Sequence, residues 1–155
     1  MKEVNKCLLT DKEKQMLDFA IKALRGDAFM YLSGSLALAI QGVKKPREAN
    51  DIDFCSDFMG DSINRLTALG LDQDEGYSDE YEESFVSFSG MIYPVQLLGG
   101  GYLDYEYKSY LYCGVEFKVI KAESILSYKL SHALDKAHCH PCKHKEDLIY
   151  ILQNN

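Results

Sequence analysis

Asp51 and Asp53 flank a single isoleucine in the run Asn50-Asp51-Ile52-Asp53-Phe54. Residues two apart on an extended chain project to the same side. Both carboxylates therefore face one way, while Ile52 and Phe54 face a core. Two carboxylates this close repel, and a divalent cation removes that penalty. Carboxylate oxygen is the donor that Mg²⁺ prefers, and Mn²⁺ is its nearest substitute. Taken alone, the pair also reads as a strand end with two exposed acids. Upstream, Gly34-Ser35 separates two apolar runs. Glycine lets a phosphate approach the backbone, and the Ser35 amide and hydroxyl stand at a helix start, where free N–H groups favour anions. Taken alone, this is also a tight strand-to-helix turn. An anion nest and a metal-ready carboxylate pair on consecutive strands are more specific together than either is apart.

The elements that must position these residues follow from periodicity. Thr10 and Glu13 have capping-box spacing, and Met16, Leu17, Ala20, Ile21 and Leu24 recur at helical intervals. A first helix is expected over 11–25, stopped by Gly26. Residues 28–33 read as a buried strand, 36–40 as a short buried helix and 51–55 as a second strand. Asp61 is expected to cap a helix that runs to residue 69. Residues 84–89 and 91–98 are strand-like, with Gly90 turning between them. Gly99-Gly100-Gly101 is a flexible break, and the tyrosine-rich segment 102–112 fits no single period. Residues 115–120 alternate as a strand. Helices are expected over 123–137, with Ile125, Leu126, Leu130 and Leu134 on one face, and over 145–152. The order predicts an α/β (α+β) chain with a central mixed β-sheet flanked by helices and closed by C-terminal helices. One domain over 1–155 is expected, with an N-terminal helix, a core over 28–120 and a helical part over 122–153.

The run YLSGSLALAIQGVKKPREANDIDF resembles the signature of the nucleotidyltransferase superfamily, in its small bacterial form. That signature is a strand, Gly-Ser at a helix start and an Asp-x-Asp strand. Arg47 stands just before the first aspartate, where small members place an arginine. Val119 to Leu130 is similar to the family's strand followed by a helix that contains a lysine, here Lys129. Lys143 to Leu148 resembles the charged start of its last helix. The resemblance spans residues 28–152. It implies a nucleoside triphosphate, ATP among the candidates, lying on Gly34 and Ser35 with Arg47 and Lys129 toward its phosphates. It also implies Mg²⁺ on Asp51 and Asp53, transfer of a nucleoside monophosphate to a small-molecule or protein acceptor, and release of pyrophosphate. On the plain reading Lys129 is a solvent-facing helix lysine.

Active members carry a third carboxylate on a later strand. Its counterpart here falls on Gln96, which offers a carbonyl oxygen but no charge and accepts no proton at neutral pH. Asp104, Glu106 or an acid within 79–83 could supply the charge instead, the acceptor could need no base, or the domain could bind nucleotide without turnover.

All four histidines fall between His132 and His144, and Cys139 and Cys142 lie among them. His138, Cys139, His140 and Cys142 have spacings compatible with zinc, but no second Cys-x-x-Cys completes a ribbon. The favoured reading is a helix–helix loop with free thiols. Five scattered cysteines point to a reducing, cytoplasmic compartment. No run approaches the ~20 apolar residues of a membrane span, and no signal-peptide core follows Met1. A net charge of −7 argues against a broad nucleic-acid surface. The acids over 72–83 suit a solvated loop or a cationic acceptor.

Overall fold

Thr10 opens the first helix as its spacing predicts. Its hydroxyl accepts from the Glu13 amide at 3.2 Å, and the Glu13 carboxylate accepts from the Thr10 amide at 3.1 Å. Helix α1 (Asp11–Leu24) follows, one residue shorter than expected. The computed structural model describes residues 1–26, 29–74, 85–90, 92–99, 105–134 and 141–155. Before α1 lie β1 (Lys2–Glu3) and a 3-10 turn at Lys6–Leu8, both too short to show a period. After it come β2 (Met30–Ser33), α2 (Gly34–Ile40), β3 (Ile52–Ser56), α3 (Met59–Ala68) and β4 (Asp72–Gln73). Strands β5 (Phe85–Ser89), β6 (Val95–Gly99), β7 (Tyr107–Tyr112) and β8 (Val115–Ile120) precede α4 (Ala122–Leu134) and α5 (Pro141–Asn154).

Among the described residues the strands form one mixed sheet in the order β1-β7-β8-β2-β3-β6-β5-β4. Strand β3 lies near its middle, antiparallel to β2 and parallel to β6. Strand pairing puts Leu32, Phe54, Leu97 and Val86 side by side on one face, and none is more than 1% exposed. Helices α1 and α3 cover that face. The Tyr112 hydroxyl donates to Asp18 of α1 at 2.7 Å, and Ser56 and Ser62 share a 2.6 Å hydroxyl contact between β3 and α3. The Arg65 guanidinium donates to the Ala23 carbonyl and joins the two helices. The α/β mixed-sheet architecture is the expected one.

Several boundaries differ from expectation. Asp61 is not the cap of α3. The helix begins at Met59, and the Ser56 hydroxyl takes the Phe58 amide at 3.0 Å from outside it. Strand β6 starts at Val95 rather than 91, because Tyr93 turns to α1 and donates to Gln15 at 2.9 Å. Helix α5 starts at Pro141, a residue suited to a first helical turn. On α4, Ile125 is buried, but Leu130 and Leu134 are 50% and 74% exposed. Their helical spacing marks an apolar stripe that stays open to solvent at these two positions.

Gln41 sets where α4 begins. Its side-chain amide donates to the Ile120 carbonyl at 2.8 Å and to the Ala37 carbonyl at 3.0 Å. Its carbonyl oxygen accepts from the Ala122 amide at 2.9 Å. One residue at the end of α2 thus fixes the strand end of β8 and the first turn of the helix that carries Lys129.

Candidate functional site

The sheet places Ser33, Asp53, Gln96 and Ser87 in one row across four adjacent strands. Directly paired residues point to the same face, so these four side chains stand together, opposite the buried apolar row. All four are half-buried. Asp51 lies one residue before β3 and is also half-buried. Alternation sets its carboxylate on the Asp53 face.

Gly34 adopts φ +67°, a left-handed conformation that glycine enters without penalty. A Cβ there would lie 2.8 Å from the Asp53 Cγ and 2.9 Å from its Cβ, and closer still to Oδ2. The Asp53 carboxylate therefore packs against the bare Cα of Gly34. From the sequence, the glycine was expected to admit a phosphate; in the structure the group against it is the aspartate of the neighbouring strand. The turn and the Asp53 carboxylate are one assembly.

A narrow crevice beside α2 gathers Ser35, Lys45, Arg47, Lys129 and Asp147. Arg47 donates to Asp147 Oδ2 at 3.0 Å, and the Lys129 ammonium lies 3.9 Å from the same oxygen. The Lys129 side chain is only 13% exposed, so the solvent-facing reading of it fails. Asp147 is 6% exposed, and its Oδ1 has no hydrogen-bond partner among the described residues. Leaving a buried acceptor unpaired costs about 1–3 kcal/mol. The two cations offset that cost, and both are thereby held at the Ser35 end of the site.

The loop that carries Arg47 is anchored from α1. Glu13 is 2% exposed. Its Oε2 accepts from the Lys45 ammonium at 2.6 Å and from the Ala49 amide at 3.1 Å. Burial works to raise the Glu13 pKa, but the bonds from Lys45, Thr10 and Ala49 and the charge of Lys45 outweigh it. The carboxyl is held below the usual glutamate value. The Lys12 ammonium donates to the side-chain oxygen Oδ1 of Asn50 at 2.7 Å, next to Asp51.

The structure thus groups Gly34, Asp51 and Asp53 at the strand ends, and Ser35, Arg47 and Lys129 in the adjoining crevice. Gln96 stands directly across from Asp53. Glu106 pairs with Lys121 at 2.8 Å, and its carboxyl is held low by that partner. His138, Cys139, His140, Asp104 and the acids at 79–83 lie outside the described residues, as does the side chain of Cys142. No cluster of three metal-ligating side chains occurs among the described residues. Sequence reasoning missed Asp147 and the anchoring role of Glu13. Asp147 carried a signal in its helical phase with Leu148 and Ile151, both buried. Glu13 signalled only its cap.

No protein-family model matches the chain, and no curated protein matches it in sequence. Solved structures do match. A Thermotoga maritima protein assigned as a nucleotidyltransferase superposes with TM-score 0.61 at 18% identity, over 95% of this chain and 96% of its own. The lincosamide antibiotic adenylyltransferase LnuA, solved with lincomycin bound, gives 0.52 at 16% identity, over 90% and 98%. ANT(2")-Ia, solved with adenylyl-2"-tobramycin, gives 0.57 at 12% identity, over 93% and 89%. At these identities the likeness is one of fold: the chain shares the fold of these solved nucleotidyltransferases.

Proposed function

We propose that the chain binds a nucleoside triphosphate with Mg²⁺ and transfers the nucleoside monophosphate to an acceptor, releasing pyrophosphate. The observation that carries the reading is the packing of the Asp53 carboxylate on the Cα of Gly34, which joins the Gly-Ser turn to the Asp-x-Asp strand. The donor set fits the ion: two carboxylates and the neutral carbonyl oxygen of Gln96 are hard oxygen ligands, and phosphate and water complete such a shell. Bound there, the ion supplies charge neutralisation at the phosphates. Asp51 and Asp53 hold it. The Ser35 hydroxyl, Arg47 and Lys129 bind the phosphates and orient the α-phosphorus toward the open face of the row. Gln96 leaves that row without a second carboxylate beside Asp53 to take the acceptor's proton. The antibiotic ligands of two structural neighbours support a small-molecule acceptor.

The test is Mg²⁺-dependent release of pyrophosphate from labelled triphosphates across candidate acceptors. The double variant Asp51→Asn with Asp53→Asn abolishes it. Unchanged release in that variant sinks the mechanism.

Gln96 favours a second reading, a module that binds the nucleotide without turnover. It predicts saturable triphosphate binding with no pyrophosphate for any acceptor. On this reading Gln96→Asp, which sets a carboxylate directly beside Asp53, gains activity where the parent chain has none.

A further inference from the structure

Beyond the row at Asp53, the same sheet face carries a second polar cluster. Alternation along β3 puts Asp57 on the Asp53 side, about 13 Å further on. The Asp57 amide donates to the Phe29 carbonyl at 3.0 Å, which extends the pairing of β2 with β3 to this point. Two phenols close on its carboxylate: Tyr31 donates to Oδ2 at 2.8 Å and Tyr105 to Oδ1 at 2.6 Å. The Tyr31 ring meets Tyr105 edge-on at 5.4 Å between centroids and lies 5.2 Å from Tyr107. The Lys118 ammonium sits over two of these rings, 5.1 Å from the Tyr107 centroid and 5.4 Å from that of Tyr31.

This is an aromatic wall with a carboxylate behind it, and an ammonium already rests on it. Aromatic faces attract cations, and each tyrosine oxygen that donates to Asp57 keeps acceptor capacity for an N–H group. The Tyr105 phenol is pushed well up, chiefly by burial and then by its bond to Asp57, so it stays a donor. Tyr31 is buried and fixed, whereas Tyr107 is 45% exposed and Asp57 is exposed, so the cluster opens to solvent on one side. An anion would meet the charge of Asp57 there, and a neutral donor would gain a hydrogen bond to a phenol oxygen but neither the charge nor the cation–π attraction. The chain's net charge of −7 adds a general pull on cations.

We propose that Tyr31, Tyr105, Tyr107 and Asp57 form a subsite for an aliphatic ammonium group, which the Lys118 ammonium occupies until a ligand amine replaces it. The subsite deepens the proposed function: it lies on the Asp53 face, one short molecule's length away, and so selects an acceptor that carries an amine. Its chemistry is shared by a small polyamine and by a lysine side chain of a basic peptide.

The experiment is calorimetric titration with spermidine and, separately, with trilysine. Both are run without nucleotide or Mg²⁺ at about 0.15 M salt, where long-range attraction is screened. Saturable binding of spermidine assigns the site to small amines, and equal or tighter binding of trilysine assigns it to basic peptides; either supports the subsite. Tyr107→Ala weakens the binding about two- to fivefold, the worth of one exposed cation–π contact. Lys118→Gln tightens it by a similar factor, because the resident ammonium no longer competes. Lys22→Gln removes an equal charge from α1, on the other face of the sheet, and leaves the affinity unchanged, which separates competition on the rings from net charge. Tyr107→Phe keeps the ring and the affinity, and guards against a loss caused by misfolding.

The inference is overturned by an absence of saturable binding, by weaker or unchanged binding in Lys118→Gln, or by binding indifferent to Tyr107→Ala. The last of these marks diffuse attraction to net charge. The titration contains no triphosphate, so it fails or succeeds independently of turnover. Nucleotidyl transfer to an acceptor without an amine, with pyrophosphate released and no spermidine binding, would remove the subsite and leave the transfer standing.

Discussion

Gly34→Ala separates the geometry of the site from the general cost of a left-handed alanine. Gly34 has φ +67° and Gly114 has φ +78°, so an alanine at either position adopts a nearly equal backbone strain. That strain is about 1–2 kcal/mol. The surroundings differ. A Cβ on Gly114 meets nothing within 4 Å, whereas a Cβ on Gly34 runs into the Asp53 side chain at Oδ2, Cγ and Cβ. Gly114→Ala therefore loses the backbone term alone. Gly34→Ala loses it and also drives the Asp53 carboxylate off the turn, adding about 1–2 kcal/mol for a half-buried charged group moved from its contacts. For a chain of this size each kcal/mol lowers Tm by about 2–4 °C. Calorimetric melts should show Gly34→Ala below Gly114→Ala by roughly 2–8 °C. The displaced carboxylate also weakens Mg²⁺-triphosphate binding about tenfold or more, the scale on which misoriented metal ligands act. Gly114→Ala leaves that affinity unchanged. Equal melting temperatures, or full nucleotide affinity in Gly34→Ala, would refute the claim that the turn exists to seat Asp53.

Glu13→Ala leaves Lys45, whose side chain is 10% exposed, buried without its counter-charge; urea unfolding should show a loss of about 3–5 kcal/mol. The Glu13 carboxyl is held below its ordinary value, so its contribution is complete above the ordinary glutamate range and disappears as pH falls through the lower folded value. Unfolding curves taken from pH ~6 to ~3 should therefore fall more steeply for the parent chain than for Glu13→Gln. Asp147→Asn frees Arg47 and Lys129 from a competing charge, and titration with tripolyphosphate should show severalfold tighter binding than in the parent chain. Weaker binding would instead make Asp147 the group that aims those cations.

The parts of this site that lie along one strand were open to reading. Asp51 and Asp53 share a face because alternation depends on nothing but an extended chain. Helix α1 announced itself because its cap and its apolar stripe are local. Gln96 as the partner of Asp53 required only the correct strand and phase, and the register pairs the two. The parts that depend on distant packing were not open. Glu13 and Lys45 meet through the folding of the loop over α1, and nothing near either residue in sequence signals it. Arg47 and Asp147 are brought together by α5. Leu130 and Leu134 kept an apolar spacing while facing solvent, because periodicity records a stripe and not what covers it. The tyrosine-rich segment 102–112 resisted a single period because Tyr105 and Tyr107 serve Asp57 and Tyr31, whereas Tyr110 and Tyr112 serve the buried face.

The loop between α2 and β3 is held from two sides, by α1 and by Asn155 after α5. Glu13 grips Lys45 and Ala49 from α1, and the side chain of Asn155 bonds the Lys44 amide at 2.8 Å and its carbonyl at 3.0 Å. Reciprocity makes this a thermodynamic cycle. If holding the loop raises the affinity of Arg47 for an anion, then an anion on Arg47 must tighten the hold on the loop by the same factor. Amide hydrogen exchange at Lys44 and Ala49 would thus work as a gauge of site occupancy, read at two positions that touch no ligand.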